Sequence, residues 1–391
     1  MILRRATALL CASLLVSGPN AAAPTARTAP APTIGELPLN YTPPPDSDEA
    51  GLWMISSEVE KGFRSSPLLV RDPALNSYVK GVVCKVAPDR CNAMRIYILD
   101  IPYFNAAMSP NGAMQVWTGL LLRARNEAQL AYILGHETSH YTLRHTIDMW
   151  RRARSATGGL MVLTLLTAGV GALAAIGMMH SLMAHSRDEE RQADEYGLRM
   201  ATAAGYDPAQ SAEIWRLQAA EEKVTPKHED IFSFTDTHPT PEERLSTMQK
   251  RAAEVSQTRT DWVLNQQAYL DTVKPFRARW LEEDLALGHY DASLLMINDL
   301  IANEPESGLL RFYLGEIYRR RNAPGDAPKA VEAYEAAAKL ADVPPTVYRG
   351  LGITQMKSGN KDAAREAFQK YLAAVPDAGD HAMVEYYLSH L

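Results

Sequence analysis

Two histidines and a glutamate in His136-Glu137-Thr138-Ser139-His140 form the strongest chemical pattern in this sequence. On an α-helix, side chains four residues apart lie on one face, so both imidazoles can bind a single Zn²⁺ ion. Glu137 follows the first imidazole, where its carboxylate can take a proton from a water molecule that the ion activates. The pattern predicts a hydrolytic zinc site. A solvated helix face could carry the same residues, so the surrounding sequence has to separate the two interpretations.

The residues before this motif favour a helix. Asn126 is a favourable N-cap, and Glu127 in the first turn complements the helix dipole. Apolar side chains then follow at helical spacing and form a stripe that can face a core, at Leu130, Ile133 and Leu134. The motif is therefore predicted to lie on an amphipathic helix.

A second, acidic segment at Ser186–Asp194 can supply the third protein ligand that catalytic zinc sites need. Glu190 and Asp194 lie four residues apart on a predicted helix, so one carboxylate can bind the ion while the other orients a ligand histidine. The alternative is that these acidic residues only complement the helix dipole. A metzincin site is excluded, because Leu143 and Thr146 stand where that motif needs Gly and His.

Over about residues 47–255, the sequence resembles the zinc metallopeptidase family that includes CAAX prenyl proteases, HtpX and BepA. Four segments carry the resemblance: residues 105–112 with Gly119-Leu120-Leu121, the His136–His140 motif with the trailing His145, Ser186–Asp194, and Thr237-His238-Pro239 followed by Arg244. The sequence departs from the family pattern at Ser109 and Asn111, where the family often has Leu or Ala and a Gly. Both positions adjoin the segment in which substrate-strand geometry is set.

The resemblance implies roles for individual residues around one Zn²⁺ ion per subunit. It implies three zinc ligands, which are His136, His140 and Glu190, and a general base, which is Glu137. It further implies supporting side chains around the ligands, which are Asp194, His145 and Arg244.

His238 is expected at the edge of the site as a second catalytic residue. The helix start Thr240-Pro241-Glu242-Glu243 predicts a capping box with Thr240 as N-cap, and Pro239 favours an extended backbone before it. A histidine held there has two alternative roles. As a fourth zinc ligand it keeps the enzyme latent until substrate displaces it, whereas as a hydrogen-bond donor it stabilises the developing oxyanion. A solvated loop histidine is the simpler interpretation.

The N-terminal sequence predicts export. Arg4 and Arg5 precede an apolar run that ends in small residues, so residues 1–23 are predicted to be a signal peptide, with an uncleaved anchor as the alternative. Residues 24–46 are rich in Pro and Ala and predict a tether with no pattern that could be buried. The expected location is the periplasm, with membrane association as an option. The net charge of −6 argues against a nucleic-acid partner.

Two cysteines, Cys84 and Cys91, remain after the signal. In an oxidising compartment they are predicted to close a short loop by a disulfide, and two buried thiols are the alternative. A loop of this length contributes only about 2 kcal/mol in the chain-entropy model, so its expected role is structural.

Residues 158–179 contain no charged side chain and are long enough in principle to cross a bilayer. A single crossing would separate His140 and Glu190 by a membrane, although both must reach one ion. The segment is therefore predicted to turn back near Gly169 and Gly171 as a hydrophobic hairpin that covers the site or contacts a membrane surface. A helix pair buried in the core is the alternative.

Two segments predict strands. Met94–Ile101 alternates between apolar and polar residues, and Ala113–Trp117 is a second candidate. The second segment is either an edge strand that could pair with a substrate backbone or an ordinary core strand.

From about residue 265 the sequence repeats a helical pattern. Leu314-Gly315 and Leu351-Gly352 are each followed by Ala and aromatic residues at tetratricopeptide spacing, which predicts three repeats and a final helix over 382–391. The predicted fold class is therefore mainly α (α+β). A zincin-like metallopeptidase domain with a small β-sheet covers 47–262, and a helical repeat solenoid covers 265–391.

These features predict a periplasmic zinc metalloendopeptidase acting in envelope protein quality control, with repeats that recruit substrate or partner proteins. The domain order is similar to that of BepA-like members, which implies misfolded or stalled envelope proteins as substrates. The alternative is a repeat scaffold or chaperone whose zinc site is structural or latent. Glu137 favours the enzyme, because a purely structural site has no use for a base.

Overall fold

A three-stranded sheet forms the base of the peptidase part. The computed structural model describes residues 35–157, 185–225 and 240–391. Strands β1 (Arg95–Leu99), β2 (Ala106–Met108) and β3 (Ala113–Trp117) lie in the order β1-β3-β2, with β1 parallel and β2 antiparallel to β3. The edge-strand interpretation of Ala113–Trp117 is therefore wrong, because β3 is the central strand. The edge strands are β1 and β2, and β2 is too short for its alternation to stand out in the sequence.

Eight helices of the described residues surround this sheet and carry the peptidase part. They are α1 (Asp48–Ser65), α2 (Pro73–Val86), α3 (Thr118–Arg123), α4 (Glu127–Thr142), α5 (His145–Thr157), α6 (Arg187–Ala203), α7 (Ala209–Glu222) and α8 (Pro241–Ser256). A short 3₁₀ turn, Cys91–Ala93, precedes β1. The predicted zinc motif lies in the second half of α4, where every residue of the helix is buried.

Side-chain caps explain where the two site helices begin. The Asn126 side chain accepts a hydrogen bond from the Gln129 backbone N–H, which confirms the predicted N-cap of α4. A capping box starts α6, where Ser186 and Glu189 exchange hydrogen bonds. The capping box predicted at Thr240 is wrong. Thr240 makes no side-chain cap bond, and the Glu243 carboxylate instead accepts a hydrogen bond from Arg191, 3.1 Å away.

The two faces of the sheet pack against different helices. Met114 and Val116 of β3 join the large core that contains the α4 side chains, whereas Trp117 joins a smaller cluster with Phe63 of α1. This alternation is what a strand buried on both faces gives. The sheet is thus held between α1 and α4, and α4 is fixed relative to β2.

The predicted tether is partly built into the fold. Leu37 is 3% exposed, and its backbone N–H donates to the Thr142 carbonyl at the end of α4 over 2.8 Å. Pro43 is also buried. The expectation that 24–46 has nothing to bury is therefore wrong for its second half. A single leucine with one backbone bond leaves no periodic signal in a Pro-rich sequence.

Seven helices form the repeats: α9 (Gln266–Ala286), α10 (Tyr290–Asn303), α11 (Gly308–Arg321), α12 (Asp326–Ala337), α13 (Thr346–Lys357), α14 (Lys361–Ala374) and α15 (His381–His390). A Cβ added at Gly315 would lie 2.5 Å from the Tyr334 ring, and one at Gly352 would lie 2.5 Å from the Phe368 ring. The Gly and aromatic positions of each repeat are therefore packing partners, which explains their recurrence. The predicted fold class, mainly helical with a small sheet and terminal repeats, is confirmed.

Buried arginines join the repeats to the peptidase part. Arg123 at the end of α3 donates from Nε to Glu221 and from Nη2 to Asp284 of α9, each over 2.6 Å. Arg125 donates to Asp299 of α10 over 2.6 Å. Because each buried guanidinium meets a carboxylate, removing one partner would leave a charge without its counter-ion in the core.

The described part of the chain gives no helix that is both long and apolar enough to span a bilayer. The predicted signal peptide (1–23) and the predicted hydrophobic hairpin (158–179) lie outside the described residues, so both stay predictions.

The structure brings Cys84 and Cys91 together as a disulfide pair, with 4.8 Å between their Cα atoms. We expect mass spectrometry of non-reduced, exported protein to detect one peptide pair linked through these residues. Reduction should separate the pair. Thiol labelling of both cysteines in denaturant without reductant would contradict the disulfide.

Candidate metal centre

Three buried side chains from α4 and α6 converge on one point. The Nε2 atoms of His136 and His140 lie 3.1 Å apart. The Glu190 carboxylate lies across from them, with one oxygen 3.5 Å from His136 Nε2 and the other 3.4 Å from His140 Nε2. All three residues are at most 2% exposed. The resemblance implied these three as ligands, and the structure brings them together as a group that could hold a metal ion.

The donor set fits a zinc ion. Zinc binds imidazole nitrogen and carboxylate oxygen at about 2.0–2.1 Å in tetrahedral geometry, which separates neighbouring donors by roughly 3.3 Å. The two nitrogens lie 3.1 Å apart, and each lies 3.4–3.5 Å from a different oxygen of Glu190, so these separations are close to that value. Three protein donors also match the number found in catalytic sites, where a further position stays available for water or substrate.

Asp194 holds the other side of the first imidazole. Its Oδ1 atom lies 3.0 Å from His136 Nδ1, so the Nδ1–H can donate to the carboxylate and leave Nε2 for the metal. Burial alone would raise the pKa of Asp194. The charge of Arg244 and the hydrogen bond from His136 outweigh burial and hold that pKa well below its usual range. Asp194 therefore stays ionised and orients His136.

Arg244 and two aromatic residues support Asp194 in turn. The Arg244 Nε atom donates to Asp194 Oδ2 over 3.0 Å, and Tyr132 donates its hydroxyl to Oδ1 over 2.8 Å. Trp215 Nε1 donates to that hydroxyl over 3.0 Å, and its ring lies 3.6 Å from the Arg244 guanidinium carbon. The guanidinium thus neutralises the carboxylate in a site closed to water.

The second imidazole is held by other histidines. His140 Nδ1 lies 3.0 Å from His145 Nδ1, so a hydrogen on His140 Nδ1 can bridge the two rings and leave Nε2 facing Glu190. The ring of His185 stacks on His140 at 4.0 Å between centroids. His145 therefore lies next to a ligand, as the resemblance implied.

Glu137 lies beside the three candidate ligands. Its Oε1 atom is 4.0 Å from His136 Nε2 and has no hydrogen-bond partner among the described residues. Burial, together with the charge of Glu190, raises the pKa of Glu137 well above its usual range. A carboxylate of raised basicity with an available oxygen is suited to accept a proton from a nucleophile.

The edge strand β2 faces this carboxylate. Ser109 N–H donates to Ala113 O and Trp117 N–H donates to Asn105 O. In an antiparallel pair the bonding direction alternates, so the backbone groups of Ala106 and Met108 point away from β3. The Met108 N–H accordingly donates to Glu137. The outer edge of β2, which no other described strand pairs with, and a candidate base therefore border the same space.

Comparison with known sequences agrees with this geometry. Residues 70–252 match the model of peptidase family M48, and residues 280–330 and 325–379 each match a tetratricopeptide repeat. The chain carries an M48 peptidase domain followed by tetratricopeptide repeats. Members of the M48 family are metal-dependent peptidases, so the resemblance predicted from the motifs is confirmed.

Curated relatives of the M48 chain are proteases. The beta-barrel assembly-enhancing protease of Yersinia pestis is 27% identical, covering 63% of this chain and 53% of the relative. Its Escherichia coli K12 counterpart is 25% identical, covering 51% and 44%. The mitochondrial metalloendopeptidase OMA1 of Schizosaccharomyces pombe is 29% identical, covering 40% and 45%. The chain spans about half the length of the curated relatives it matches.

Two glycines allow the M48 ligand helices to touch. A Cβ at Gly197 of α6 would lie 2.7 Å from the His136 backbone nitrogen and 2.9 Å from its Cα. A Cβ at Gly135 would lie 3.1 Å from the Gly197 carbonyl oxygen. Because backbone atoms of a buried helix cannot swing aside, this contact sets how closely Glu190 and Asp194 approach the histidines.

We expect Gly197→Ala to push the two ligand helices apart, with a loss of about 1–3 kcal/mol of stability and weaker metal binding. Metal analysis and thermal unfolding with and without zinc measure both effects. Gly81→Ala is the matched control, because its helical Cβ would meet nothing within 4 Å and should stabilise the fold slightly. Equal zinc affinity in both variants would contradict the prediction.

Zinc binding at the M48 site is expected to weaken as the pH falls below 7. Burial raises the pKa of Glu190 to about 7, although the charges of His136 and Arg244 lower it. Burial also lowers the pKa of His136, which favours the neutral imidazole that binds metal. Protons then compete for the Glu190 carboxylate, and affinity should fall about tenfold per pH unit. Competition with a chromophoric chelator from pH 8 to 5.5 measures the slope, which should be shallower in Glu190→Gln.

Sequence reasoning missed several residues of the site. Tyr132 lies four residues before His136 on the same helix face, which is the signal that could have found it. Gly197 lies three residues after Asp194, but its role depends on a helix crossing. Trp215 and His185 had no sequence signal.

His238 lies outside the described residues, so its two alternative roles stay predictions.

Proposed function

We propose that this chain is a zinc-dependent endopeptidase. One buried cluster carries the proposal, because it combines two features. Three donors are spaced for a zinc ion, and beside them Glu137 has a carboxylate oxygen with no hydrogen-bond partner among the described residues. A structural zinc site has no need for the second feature. This supports the enzyme over the alternative of a repeat scaffold with a silent metal site.

The residues divide the work of peptide hydrolysis. His136, His140 and Glu190 would hold a zinc ion, which would act as a Lewis acid toward a peptide carbonyl and toward water. Glu137 accepts the proton from the attacking water and can return it to the leaving amine. Asp194 keeps His136 in the tautomer that binds metal, and His145 does the same for His140.

Substrate is proposed to bind as an added strand on the edge of β2. The outward N–H and carbonyl of Ala106 and the outward carbonyl of Met108 can pair with an extended chain and hold its peptide bond next to Glu137. Only an unfolded or exposed segment can present an extended backbone in this way. The edge therefore favours misfolded or stalled proteins as substrates over compact ones.

Location and partners follow from the relatives and the repeats. Two of the relatives are named as beta-barrel assembly-enhancing proteases, and tetratricopeptide repeats mediate protein interactions. We propose that the chain acts in the periplasm on envelope proteins, with its repeats recruiting substrate or a partner complex. A membrane-surface contact through 158–179 remains part of the proposal.

The test is metal analysis combined with degradation of casein, an unfolded substrate. The full chain should bind one zinc per subunit and degrade casein, lose activity on chelation with 1,10-phenanthroline, and regain it with zinc but not with magnesium. Stoichiometric zinc without degradation of casein or of unfolded envelope proteins would favour the scaffold. Degradation that persists in metal-free protein would remove zinc from the mechanism.

A further inference from the structure

A cluster of charged side chains lies beneath the turn that joins β2 to β3. The Glu60 side chain on α1 is 4% exposed, and its carboxylate accepts hydrogen bonds from four neighbours. Arg95 donates from Nε and Nη2 over 2.6 and 2.7 Å, Tyr97 over 2.6 Å, Arg64 over 2.8 Å and Asn111 Nδ2 over 2.9 Å. A buried carboxylate with this many donors holds its neighbours in fixed positions.

Asn111 connects this cluster to the backbone of the turn. Its Oδ1 atom accepts from the Ala113 N–H over 3.2 Å, and its carbonyl accepts from Arg95 Nη2 over 3.0 Å. The Gly112 N–H closes the turn by donating to Ser109 O over 3.0 Å, with Gly112 at a φ of +87°. The Asn111 side-chain nitrogen is thus bonded to α1, its carbonyl to β1 and its side-chain oxygen to β3.

β2 packs against α4 and β3, and the turn that follows β2 in the chain links it to the Glu60 cluster. The strand is only Ala106–Met108 and pairs with β3 alone among the described residues. Met108 is three residues before Asn111, and its outward N–H reaches Glu137. A shift of the turn along α1 would therefore move the strand edge relative to the base.

We propose that Asn111 and Glu60 act as positioning residues that set the β2 edge for substrate binding, an inference that rests on the proposed function. Asn111 occupies a position where glycine would leave the turn unattached to α1. In this chain the amide supplies a donor that glycine lacks. Loss of the contact should weaken substrate binding while leaving the metal donors, on α4 and α6, in place.

Asn111→Asp is the sharpest variant, because it keeps the Oδ1 acceptor and removes only the donor. The new carboxylate oxygen would lie where Nδ2 now stands, 2.9 Å from Glu60 Oε2. Glu60→Gln combined with Asn111→Asp places an amide donor opposite the new carboxylate and keeps the charge of the cluster, but it also removes the Oε2 acceptor of Arg95 Nη2. The double variant should therefore recover part of what Asn111→Asp loses.

The experiment measures binding of a fluorescein-labelled casein fragment by anisotropy in full-length, zinc-loaded protein that carries Glu137→Gln. Asn111→Asp and Asn111→Gly should each raise Kd about tenfold, as the loss of one or two charge-assisted hydrogen bonds allows. The double variant should bind more tightly than Asn111→Asp alone. Asn298→Asp should change nothing, because Asn298 is exposed on α10 and its amide donates, among the described residues, to Leu294 of its own helix.

The outcomes separate this inference from the proposed function. Unchanged Kd in Asn111→Asp and Asn111→Gly would overturn it, as would additive losses in the double variant. If Asn111→Asp does not fold, Asn111→Gly decides, since glycine adds no charge. Loss of zinc in step with Kd would also overturn it. Failure of the proposed function would instead appear as absent hydrolysis in protein with Glu137 intact, which this binding assay does not require.

Discussion

Replacing Glu137 by Gln is expected to abolish peptide hydrolysis while the metal stays bound. Glutamine keeps the size of the side chain but cannot accept a proton at neutral pH, and the three donors on α4 and α6 are unchanged. General-base catalysis contributes about 10²–10⁴-fold, so casein turnover should fall by at least that range. Zinc per subunit and thermal stability should remain close to wild type.

The measurement is casein degradation and metal content on the same preparations. Glu195→Gln is a matched control, because Glu195 lies on α6 between Asp194 and Gly197 and its side chain is 68% exposed. It should leave both quantities unchanged. Wild-type turnover by Glu137→Gln would remove this residue from the mechanism and would return the scaffold alternative to consideration.

Glu190→Ala is expected to lose both the metal and the activity. The substitution removes one of three donors and leaves two imidazoles 3.1 Å apart, which cannot complete a catalytic zinc site. Removing a residue that only supports a ligand weakens metal binding about 10–100-fold, so removing a ligand should exceed about 100-fold. Equilibrium dialysis against zinc buffers measures the affinity directly.

The neighbouring carboxylate gives the internal comparison. Asp194→Asn should weaken zinc binding only within the about 10–100-fold range, because Asp194 contacts His136 Nδ1 rather than the metal side of the ring. Glu195→Ala, exposed on the same helix, should bind zinc as wild type does. Stoichiometric zinc at high affinity in Glu190→Ala would place the third donor elsewhere.

The sequence by itself determined the features that depend on local spacing. His136, Glu137 and His140 lie on one helix because a capped, amphipathic segment carries them, and Asn126 caps that helix as expected. The repeats were visible because two of the helix pairs have a Gly where an aromatic ring packs, so the pattern recurs. The sequence alone determines which side chains share one face of a helix, because an α-helix has 3.6 residues per turn.

Only the tertiary structure decided which groups from distant segments meet. Sequence spacing allowed either Glu190 or Asp194 to be the ligand, and the crossing of α4 and α6 at Gly197 turned Glu190 toward the Nε2 atoms. The order of strands made β2 an edge strand and β3 the centre, although β3 has the stronger strand pattern. The contact of Asn111 with Glu60 joins residues 51 positions apart. Such contacts depend on how the whole core packs, so they cannot be predicted from a periodic pattern along the chain.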